Sequence, residues 1–593
     1  MMLPQINASS GIRDQISEFR GYNNNERCGE SEAYDECGIS SDFYPLLTPR
    51  EKRVLFESDV DKLVGLHVNN GLIEIKKDAS TGNENTLFYN GVKIGTLPGT
   101  GRRQMVSMGA YVIIYPDKYR FNTTNSTLEP LGANFTTSSQ VTFTPCTLEG
   151  VTINATASST APTNPTNGQY WIDTSVTPNE LKQWSSSQGM WNAIAASYTK
   201  IEATGIGQSF NKLDVVKISG VTGTYADTFN VDMCIWDRSD NQIIVTALIN
   251  NVFYNTGITL NREPPDLDFL CEHNNRLWGC NSSKHEIYCC KLGDPTNWTS
   301  YLRTAADAFA VTVGSDGDFT GCAEHGGSVV FFKENYIHKL YGTAPSNFQL
   351  DTKPDRGVKK GCAGSIVLIS GILYYISPDG ACRYEGSFPT LISDALGSES
   401  YSDAVAGGWR DKYFVAMTRD SENKRNLYTF DIRAGQWHIE DKDIDYDFFI
   451  EYKNRLIFNS GNKLLSENQD TKIGGVTYPL DSTPIVWSRT FGISGIDTPF
   501  NKYISQFVIR LAMELDATLK IEIEYDSSGE WEKVAEYVNK YAVSRRDTRS
   551  YTKLTTIELP VIPKRCDHLR LRLSGSGYSK IFSVSKKIAG GGP

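Results

Sequence analysis

The chain has 593 residues, which at roughly 150 residues per domain is enough for about four domains with buried cores. Its 69 acidic and 59 basic residues give a net charge of −10, which argues against a general affinity for nucleic acid or anionic membranes. No run of about 18 apolar residues is present, so no membrane span is predicted. The polar N-terminus lacks the apolar segment of a signal peptide. The 12 cysteines are scattered without C-x-x-C spacing, which favours free thiols in a reducing cytosol.

Residues 1–60 are polar and punctuated by proline, which argues against helix and predicts an extended N-terminal arm. The arm still carries aromatic and leucine side chains that it cannot bury by itself. We therefore expect it to act between subunits, with its arginines reaching carboxylates of a neighbouring chain. The alternative is that the arm belongs to its own propeller as the strand that closes it. The candidate residues of this inter-subunit arm are Phe19, Arg20, Tyr22, Phe43, Tyr44, Arg50 and Arg53.

A pattern of apolar strands separated by Asn, Gly or Asp turns begins at Asp61 and recurs along the chain. Asn-Gly between alternating apolar runs is a strong hairpin signal, as at Asn90 and Gly91. About seven units spaced about 40–50 residues apart suggest propeller blades of about four strands each. We assign the first blades to residues 61–128 and the remaining blades to residues 261–475. The units begin near Asp61, Arg103, Phe269, Gly321, Ser365, Trp409 and Phe448.

Residues 129–260 interrupt this period and are interpreted as an inserted β domain. The insert includes a Thr/Ser/Pro-rich linker whose composition is too polar to pack a core. Three tryptophans, Trp171, Trp184 and Trp191, then fall within about twenty residues. They are either the core of a small β module or a platform on which sugars stack. The residue pattern alone leaves both interpretations open.

Residues 480–593 are predicted to form a C-terminal β-sandwich, because their strands alternate apolar and polar residues with period two. Arg570 and Arg572 share one polar strand face. This face is either solvated or a docking face for an acidic partner or for passing phosphate. The predicted fold class is therefore mainly β: a β-propeller with an inserted β domain and a C-terminal β-sandwich.

Motifs of the common catalytic sites are absent from the sequence, including the phosphate-binding loop, the zinc-binding helix and the nucleophile elbow. The seven histidines do not cluster at the spacing of metal ligands. We therefore expect neither an enzyme nor a cofactor or metal. A glycosidase needs two carboxylates across a cleft, and nothing among the 69 acidic residues singles out such a pair.

Five phrases of the sequence carry a resemblance to a known family. Near the N-terminus these are residues 16–21 (ISEFRG), followed by 40–45 (SSDFYP) and 48–50 (TPR). In the repeats, residues 274–278 (NNRLW) precede GDPTNW, and FKENYIHKLYG precedes PSNF. This arrangement resembles the tail nozzle proteins, of the tail tubular protein B type, of short-tailed and related bacteriophages. The likeness covers about 60% of the chain and leaves out the insert and the sandwich.

The resemblance implies a structural protein of the virion that is assembled in the host cytoplasm. It implies a ring, expected to be a hexamer, that continues the channel of the portal and its adaptor and contacts other tail proteins or tail fibres. The channel would retain double-stranded DNA and conduct it during ejection without specific binding. Two alternatives remain: a carbohydrate-binding or receptor-binding propeller protein, and a head-completion or stabilisation protein.

Overall fold

The computed structural model describes residues 12–496, 501–540 and 554–590. Its regular structure is almost entirely antiparallel β-sheet, in many small sheets. The fold class expected from the sequence is confirmed, with a propeller, an inserted β domain and a C-terminal β-sandwich.

Seven four-stranded sheets, called blades 1 to 7, form the propeller. Two 3-10 turns, Ala363–Ser365 and Asp394–Leu396, lie in the connections before and after the strands of blade 5. The strands of each blade are given from the inside outwards. Blade 1 is Gly65–Val68, Leu72–Lys76, Thr86–Tyr89 and Val92–Thr96; blade 2 is Gln104–Met108, Tyr111–Tyr115, Tyr119–Asn122 and Thr127–Pro130; blade 3 is Phe269–His273, Arg276–Asn281, Glu286–Cys289 and Phe309–Thr312; blade 4 is Phe319–His325, Ser328–Lys333, Tyr336–Tyr341 and Gln349–Pro354. Blade 5 is Val367–Ile369, Ile372–Ser377, Gly380–Tyr384 and Pro389–Leu391; blade 6 is Tyr401–Trp409, Lys412–Arg419, Lys424–Asp431 and Gln436–Asp441; blade 7 is Phe449–Tyr452, Arg455–Ser460, Lys463–Ser466 and Val54–Glu57.

The blades contact one another in cyclic order. The first strand of each blade lies against the first strand of the next, and the turn Ala363–Ser365 makes this contact between blades 4 and 5. Apolar clusters fill the spaces between neighbouring blades, including the space between blades 7 and 1, where Ile457 and Leu464 pack with Val60 and Leu72. Burying both faces of most sheets explains why their central strands are nearly continuous apolar runs.

Blade 7 takes its outermost strand from the other end of the chain. Its first three strands come from residues 449–466, and Val54–Glu57 pairs with Lys463–Ser466 on the outside. The blade is therefore complete only when a segment that precedes blade 1 joins a segment that follows blade 6. Adding the strand in this way covers the outer edge of Lys463–Ser466.

The insert leaves the propeller after blade 2 and returns before blade 3. Its main sheet has eight strands around a core that includes Phe143 and Ile235. A four-residue helix, Ala226–Phe229, covers one part of this core. In sheet order the strands are Ala133–Thr137, Ile258–Arg262, Val215–Ser219, Asp232–Ser239, Gln242–Thr246, Tyr198–Glu202, Val141–Cys146 and Phe253–Asn255.

A smaller sheet lies within the insert. It has its own core of Ile153, Ile172 and Leu181, which touches the main sheet through Leu248. The chain leaves the main sheet after Cys146 and re-enters it at Tyr198, and these two residues are register partners. Its strands are Ala155–Ser158, Tyr170–Asp173, Glu180–Ser185 and Met190–Ala193.

Two sheets form the C-terminal sandwich, and each takes one edge strand from the N-terminal segment. Alternation of apolar residues explains the inner faces, as at Leu519, Ile521 and Ile523, which are all fully buried. The four-stranded sheet runs Ile12–Ile16, Ser579–Gly590, Lys502–Met513 and Thr555–Pro560, and the five-stranded sheet runs Ala33–Cys37, Val486–Phe491, Leu569–Ser576, Thr518–Tyr525 and Trp531–Val538. Two short hairpins pair Ile39–Ser40 with Thr48–Pro49 and Lys472–Ile473 with Val476–Thr477.

The small sheet of the insert should be dispensable. Replacing residues 147–197 by Asn-Gly joins Cys146 to Tyr198 through a two-residue turn that suits a hairpin between register partners. We expect the shortened protein to be soluble and to keep the main melting transition of the full chain, measured by circular dichroism and calorimetry.

Phe143→Ala in the main sheet is the matched control. It removes a ring from the core and should destabilise the insert by about 3–5 kcal/mol. Aggregation of the shortened protein, or loss of its main transition, would contradict the separation of the two cores.

Candidate functional site

Residues 12–57, here called the strap, run between the sandwich and the propeller. The strap adds a strand to three different sheets: Ile12–Ile16 and Ala33–Cys37 to the two sandwich sheets, and Val54–Glu57 to blade 7. Each addition satisfies a row of backbone donors and acceptors that would otherwise form a sheet edge. The strap is thus part of the fold of its own chain.

Two aromatic side chains of the strap are buried in different bodies. Phe19 is 2% exposed in the sandwich core, with its ring centroid 6.1 Å from that of Phe491. Tyr22 is 3% exposed against the propeller, and its backbone N–H donates to the carbonyl of Trp437 at 2.6 Å. The sequence argument that these side chains need a neighbouring chain for burial therefore does not hold for Phe19 and Tyr22.

Glycine at position 21 permits this close approach. A Cβ atom there would lie 2.4 Å from the carbonyl oxygen of Trp437, well inside van der Waals contact. The strap can therefore lie backbone to backbone on blade 6 only with glycine at this position.

The strap is also joined to blade 6 and the sandwich by a buried ion pair. Arg489 of the sandwich donates from Nη1 to Glu36 Oε2 at 3.0 Å, and neither side chain is exposed. The other carboxylate oxygen of Glu36 accepts the Ile439 backbone N–H at 3.2 Å and lies 2.9 Å from His438 Nδ1. Nη2 of Arg489 donates to backbone carbonyls of the strap, including Ser31 at 2.8 Å. Burial lowers the pKa of Arg489, and the Glu36 carboxylate opposes that effect.

Arg53 makes a second buried connection, from the strap to blades 6 and 7. Its Nη2 lies 2.5 Å from Asp441 Oδ2, and Nη1 donates to the Tyr446 hydroxyl at 2.7 Å. The guanidinium also lies over the ring of Phe458, 4.7 Å from its centroid. Burial disfavours the charge, but Asp441 and its neighbours outweigh this and raise the pKa of Arg53 above its usual value. Arg50 pairs with the same Asp441 at 2.9 Å.

Two glutamates of this cluster, Glu440 and Glu467, are buried next to each other. Oε2 of Glu440 and Oε2 of Glu467 are both buried and accept no hydrogen bond from a fixed donor. Burial, followed by the adjacent Glu440, raises the pKa of Glu467 well above its usual value. The raised pKa favours the protonated form of Glu467, which removes the repulsion between the two carboxyl groups.

The remaining arm residues lie near the surface. Tyr44 is 37% exposed, and its hydroxyl donates to Glu18 Oε1 at 2.5 Å. Arg20 is exposed and lies 3.4 Å from the same glutamate. Phe43 is half-buried beneath Lys580, whose Nζ lies 3.7 Å from the ring centroid. These side chains, unlike Phe19 and Tyr22, present surface that another molecule can reach.

A polar cavity of about 490 Å³ lies between the strap and blades 6 and 7. Lys412 Nζ donates to Asp42 Oδ1 at 2.7 Å on its wall. Basic and acidic side chains are balanced along the wall, so it selects for neither an anion nor a cation. The charged residues of the wall are Arg410, Lys412, Arg433, Asp42, Glu51, Asp411 and Glu467.

The three tryptophans of the insert come together on the small sheet. The Trp191 ring lies edge-on to both Trp171 and Trp184, with centroids 5.4 and 5.5 Å apart. Trp171 is 6% exposed and donates from Nε1 to the Ser158 carbonyl at 3.1 Å, so it belongs to the core of the sheet. Trp184 and Trp191 are half-exposed.

Arg570 and Arg572 share a face of the sandwich, as expected, but carboxylates of the neighbouring strand lie beside them. Arg572 Nε donates to Glu522 Oε2 at 3.0 Å, and Arg570 lies 3.7 Å from Glu524. Their guanidinium groups also cover the rings of Trp531 and Tyr34. These intramolecular partners reduce the positive charge that the face presents to an acidic partner.

Sequence reasoning did not find Glu36, Arg489, Glu440 or Glu467. More than 450 residues separate Glu36 from Arg489. No local spacing or motif marks such a pair, since it is created by the approach of the two chain ends.

Among the described residues, no three or more His, Cys, Asp or Glu side chains are grouped as metal ligands would be. Within the same residues, no helix has the length and apolar character needed to cross a membrane.

No family model and no curated protein matches the chain. Solved structures that resemble it include a catalytically inactive virginiamycin B lyase from Staphylococcus aureus with quinupristin, at 8% identity and a TM-score of 0.28, covering 71% of this chain and 98% of that one. BamB from Moraxella catarrhalis is 12% identical with a TM-score of 0.22, covering 47% and 93%. The extracellular domain of a hybrid two-component system from B. thetaiotaomicron is 8% identical with a TM-score of 0.17, covering 92% and 99%. Similarity at this level carries no information about activity.

Removing one partner of the buried pair should weaken the junction strongly. Arg489→Met leaves the Glu36 carboxylate buried without its main counter-charge, which costs about 3–5 kcal/mol. We expect a lower urea midpoint and faster proteolytic cleavage of the strap.

Lys533→Met is the matched control, because this lysine pairs with Glu536 on the exposed side of the same sandwich, where both side chains are about half exposed. Its loss should cost less than about 1 kcal/mol. Equal effects of the two substitutions would contradict the special role of the buried pair.

The raised pKa of Glu467 makes the stability of the fold depend on pH. Because the native pKa of Glu467 is raised, the folded chain holds a proton that the unfolded chain has lost above about pH 4.3. Stability should therefore fall as pH rises towards the native pKa, by up to about 1.4 kcal/mol per pH unit. Glu467→Gln should remove this fall, measured by urea unfolding between pH 5 and 8.

Glu399→Gln is the comparison variant. A hydrogen bond from Arg419 holds the pKa of Glu399 below its usual value, so its contribution is lost on the acid side instead. The Glu399 variant should keep the decline at high pH. If Glu467→Gln keeps it too, protonation of Glu467 is not the cause of the decline.

Proposed function

We propose that this chain is a structural component of a phage virion tail, a nozzle-type ring subunit that continues the portal and adaptor channel. The observation that carries the proposal is the strap. The phrases at residues 16–21 and 48–50, which resemble the nozzle family, lie within it. Phe19 from the first phrase enters the sandwich core, and Arg50 from the second pairs with Asp441 of blade 6.

The strap connects the sandwich firmly to the propeller, which is a property that a load-bearing ring subunit needs. Strand pairing at both sandwich sheets and at blade 7 joins the two bodies by backbone hydrogen bonds at three places. The buried Glu36–Arg489 pair lies at the strand Ala33–Cys37, and the buried Arg53–Asp441 pair lies next to Val54–Glu57. Moving the sandwich against the propeller would require breaking strand pairs and exposing unpaired buried charges, which is costly.

The exposed part of the strap is the proposed contact with the neighbouring subunit. Phe19, Tyr22 and Arg53 are engaged within their own chain. Arg20, Phe43 and Tyr44 lie at or near the surface and can meet another copy. We therefore assign the inter-subunit role to these three residues.

The negative net charge of the chain supports a role in a channel through which DNA passes. A net charge of −10 per subunit favours a wall that repels the phosphate backbone and lets DNA pass without binding.

A carbohydrate-binding role is the second candidate, and the half-exposed Trp184 and Trp191 favour it. Their edge-on rings do not form one flat platform, but either ring alone can stack on a sugar. Such a site would lie on the insert, away from the strap.

The location of the chain in a virion tests the proposal. Fab fragments raised against the purified protein should label the tail of the phage that encodes it, and electron cryo-microscopy should show a ring of copies below the adaptor. Labelling of the capsid, or of the head–tail neck alone, would overturn the nozzle assignment. Binding on a glycan array that is lost in Trp184→Ala would support the second candidate.

The same purified protein tests the assigned contact. The double variant Arg20→Ser/Tyr44→Ser should reduce ring formation in mass photometry and keep the melting temperature. Phe388→Ser, at an exposed aromatic residue of blade 5, is the control and should assemble normally. Normal assembly of the double variant would place the contact elsewhere.

A further inference from the structure

The first strands of blades 3 and 4 bring two cysteines together. Each blade has four antiparallel strands, so the first strands of successive blades run in the same direction. His273 on blade 3 and Glu324 on blade 4 are 3.9 Å apart, from Nδ1 to Oε1. Cys271 and Cys322 lie two residues before them on the two strands. Because side chains two residues apart point to the same side of a strand, Cys271 faces Cys322.

Their surroundings agree with this placement. After burial, the Cys271 thiol contributes most to the raised pKa of the Cys322 thiol, as expected for neighbouring groups. Both residues are half-buried and pack against one apolar cluster that includes Trp278 and Phe331. Both thiols are free in the structure.

We propose that Cys271 and Cys322 form a redox-sensitive pair that oxidises to a disulfide between blades 3 and 4. The proposal does not depend on the function proposed above. It modifies the expectation that all thiols of this chain stay free, because that expectation holds only in a reducing compartment.

A low-molecular-weight disulfide such as glutathione disulfide can be the oxidant. One cysteine thiolate attacks it, which forms a mixed disulfide and releases one glutathione thiolate. The second cysteine thiolate attacks the mixed disulfide, forms the Cys271–Cys322 bond and releases the second glutathione thiolate. The two cysteines lose two protons and two electrons, the oxidant gains the two electrons, and the released thiolates take up the protons.

The rate of this reaction depends on the fraction of Cys322 that is present as thiolate. Burial raises the pKa of the Cys322 thiol well above its usual value, so little thiolate is present at neutral pH. The rate should therefore rise about tenfold for each pH unit below that pKa. Once formed, the bond closes a loop of about 50 residues and restricts the unfolded chain.

Peptide mapping of the full chain tests the pair. The protein is incubated with glutathione disulfide at pH 7.5 and 8.5, remaining thiols are alkylated, and tryptic peptides are compared with and without reductant. We expect one reducible cross-linked peptide containing Cys271 and Cys322, formed about tenfold faster at pH 8.5. The oxidised protein should melt at a higher temperature than the reduced protein.

Three variants complete the experiment. Cys271→Ser and Cys322→Ser should each lose the cross-link and the rise in melting temperature. Cys234→Ser, at a half-buried cysteine of the insert, should behave like the natural chain. A stable mixed disulfide without the cross-link, a different pairing, or no oxidation at pH 8.5 would overturn the proposal.

Discussion

Glu36 and Arg489 neutralise each other where neither charge can reach water, and the joint between the two ends of this chain depends on that pair. Glu36 belongs to the strap, Arg489 to the sandwich, and the groups that complete the carboxylate's hydrogen bonds belong to blade 6. A buried ion pair adds little net stability compared with apolar packing in the same place. If one partner moves away, however, the other charge is left buried without a counter-charge, which is strongly destabilising. The pair therefore favours one relative position of strap, sandwich and propeller over every other.

Sheet edges impose the second constraint. A propeller made from one continuous chain leaves an open edge where its last blade ends, and a sandwich leaves four. The strap covers one edge of each sandwich sheet and supplies the outer strand of blade 7. Because one segment supplies a strand to all three sheets, the sandwich is joined to the propeller through that segment. The propeller and the sandwich thus both include strands from the N-terminal segment, and buried ion pairs lie where that segment contacts them.

Blade interfaces explain where further chemistry can occur. Neighbouring blades are packed through apolar clusters, and the cysteines of blades 3 and 4 lie beside one of them. The insert differs, because its tryptophans lie on a small sheet that touches the main sheet through few side chains. The side chains that we propose to meet other molecules thus lie on the insert and on the exposed part of the strap, while the blades form the frame that holds both.

Local sequence determined much of the fold. Asn-Gly turns between apolar runs marked the hairpins, and the seven units correspond to the seven blades. Period-two alternation, as at Leu519, Ile521 and Ile523, marked the sandwich strands, and polar composition marked the insert. All of these signals act over a few residues.

The joint between the strap, the sandwich and the propeller was decided only by tertiary structure. Val54–Glu57 shows no sign in its own sequence that its partner lies at Lys463–Ser466, and the burial of Phe19 depends on a surface built almost 500 residues later. Such contacts depend on the combined geometry of seven blades, which no local pattern contains. The sequence alone therefore predicted an arm that needs a partner surface. For Phe19 and Tyr22, the tertiary structure supplies that surface from the same chain.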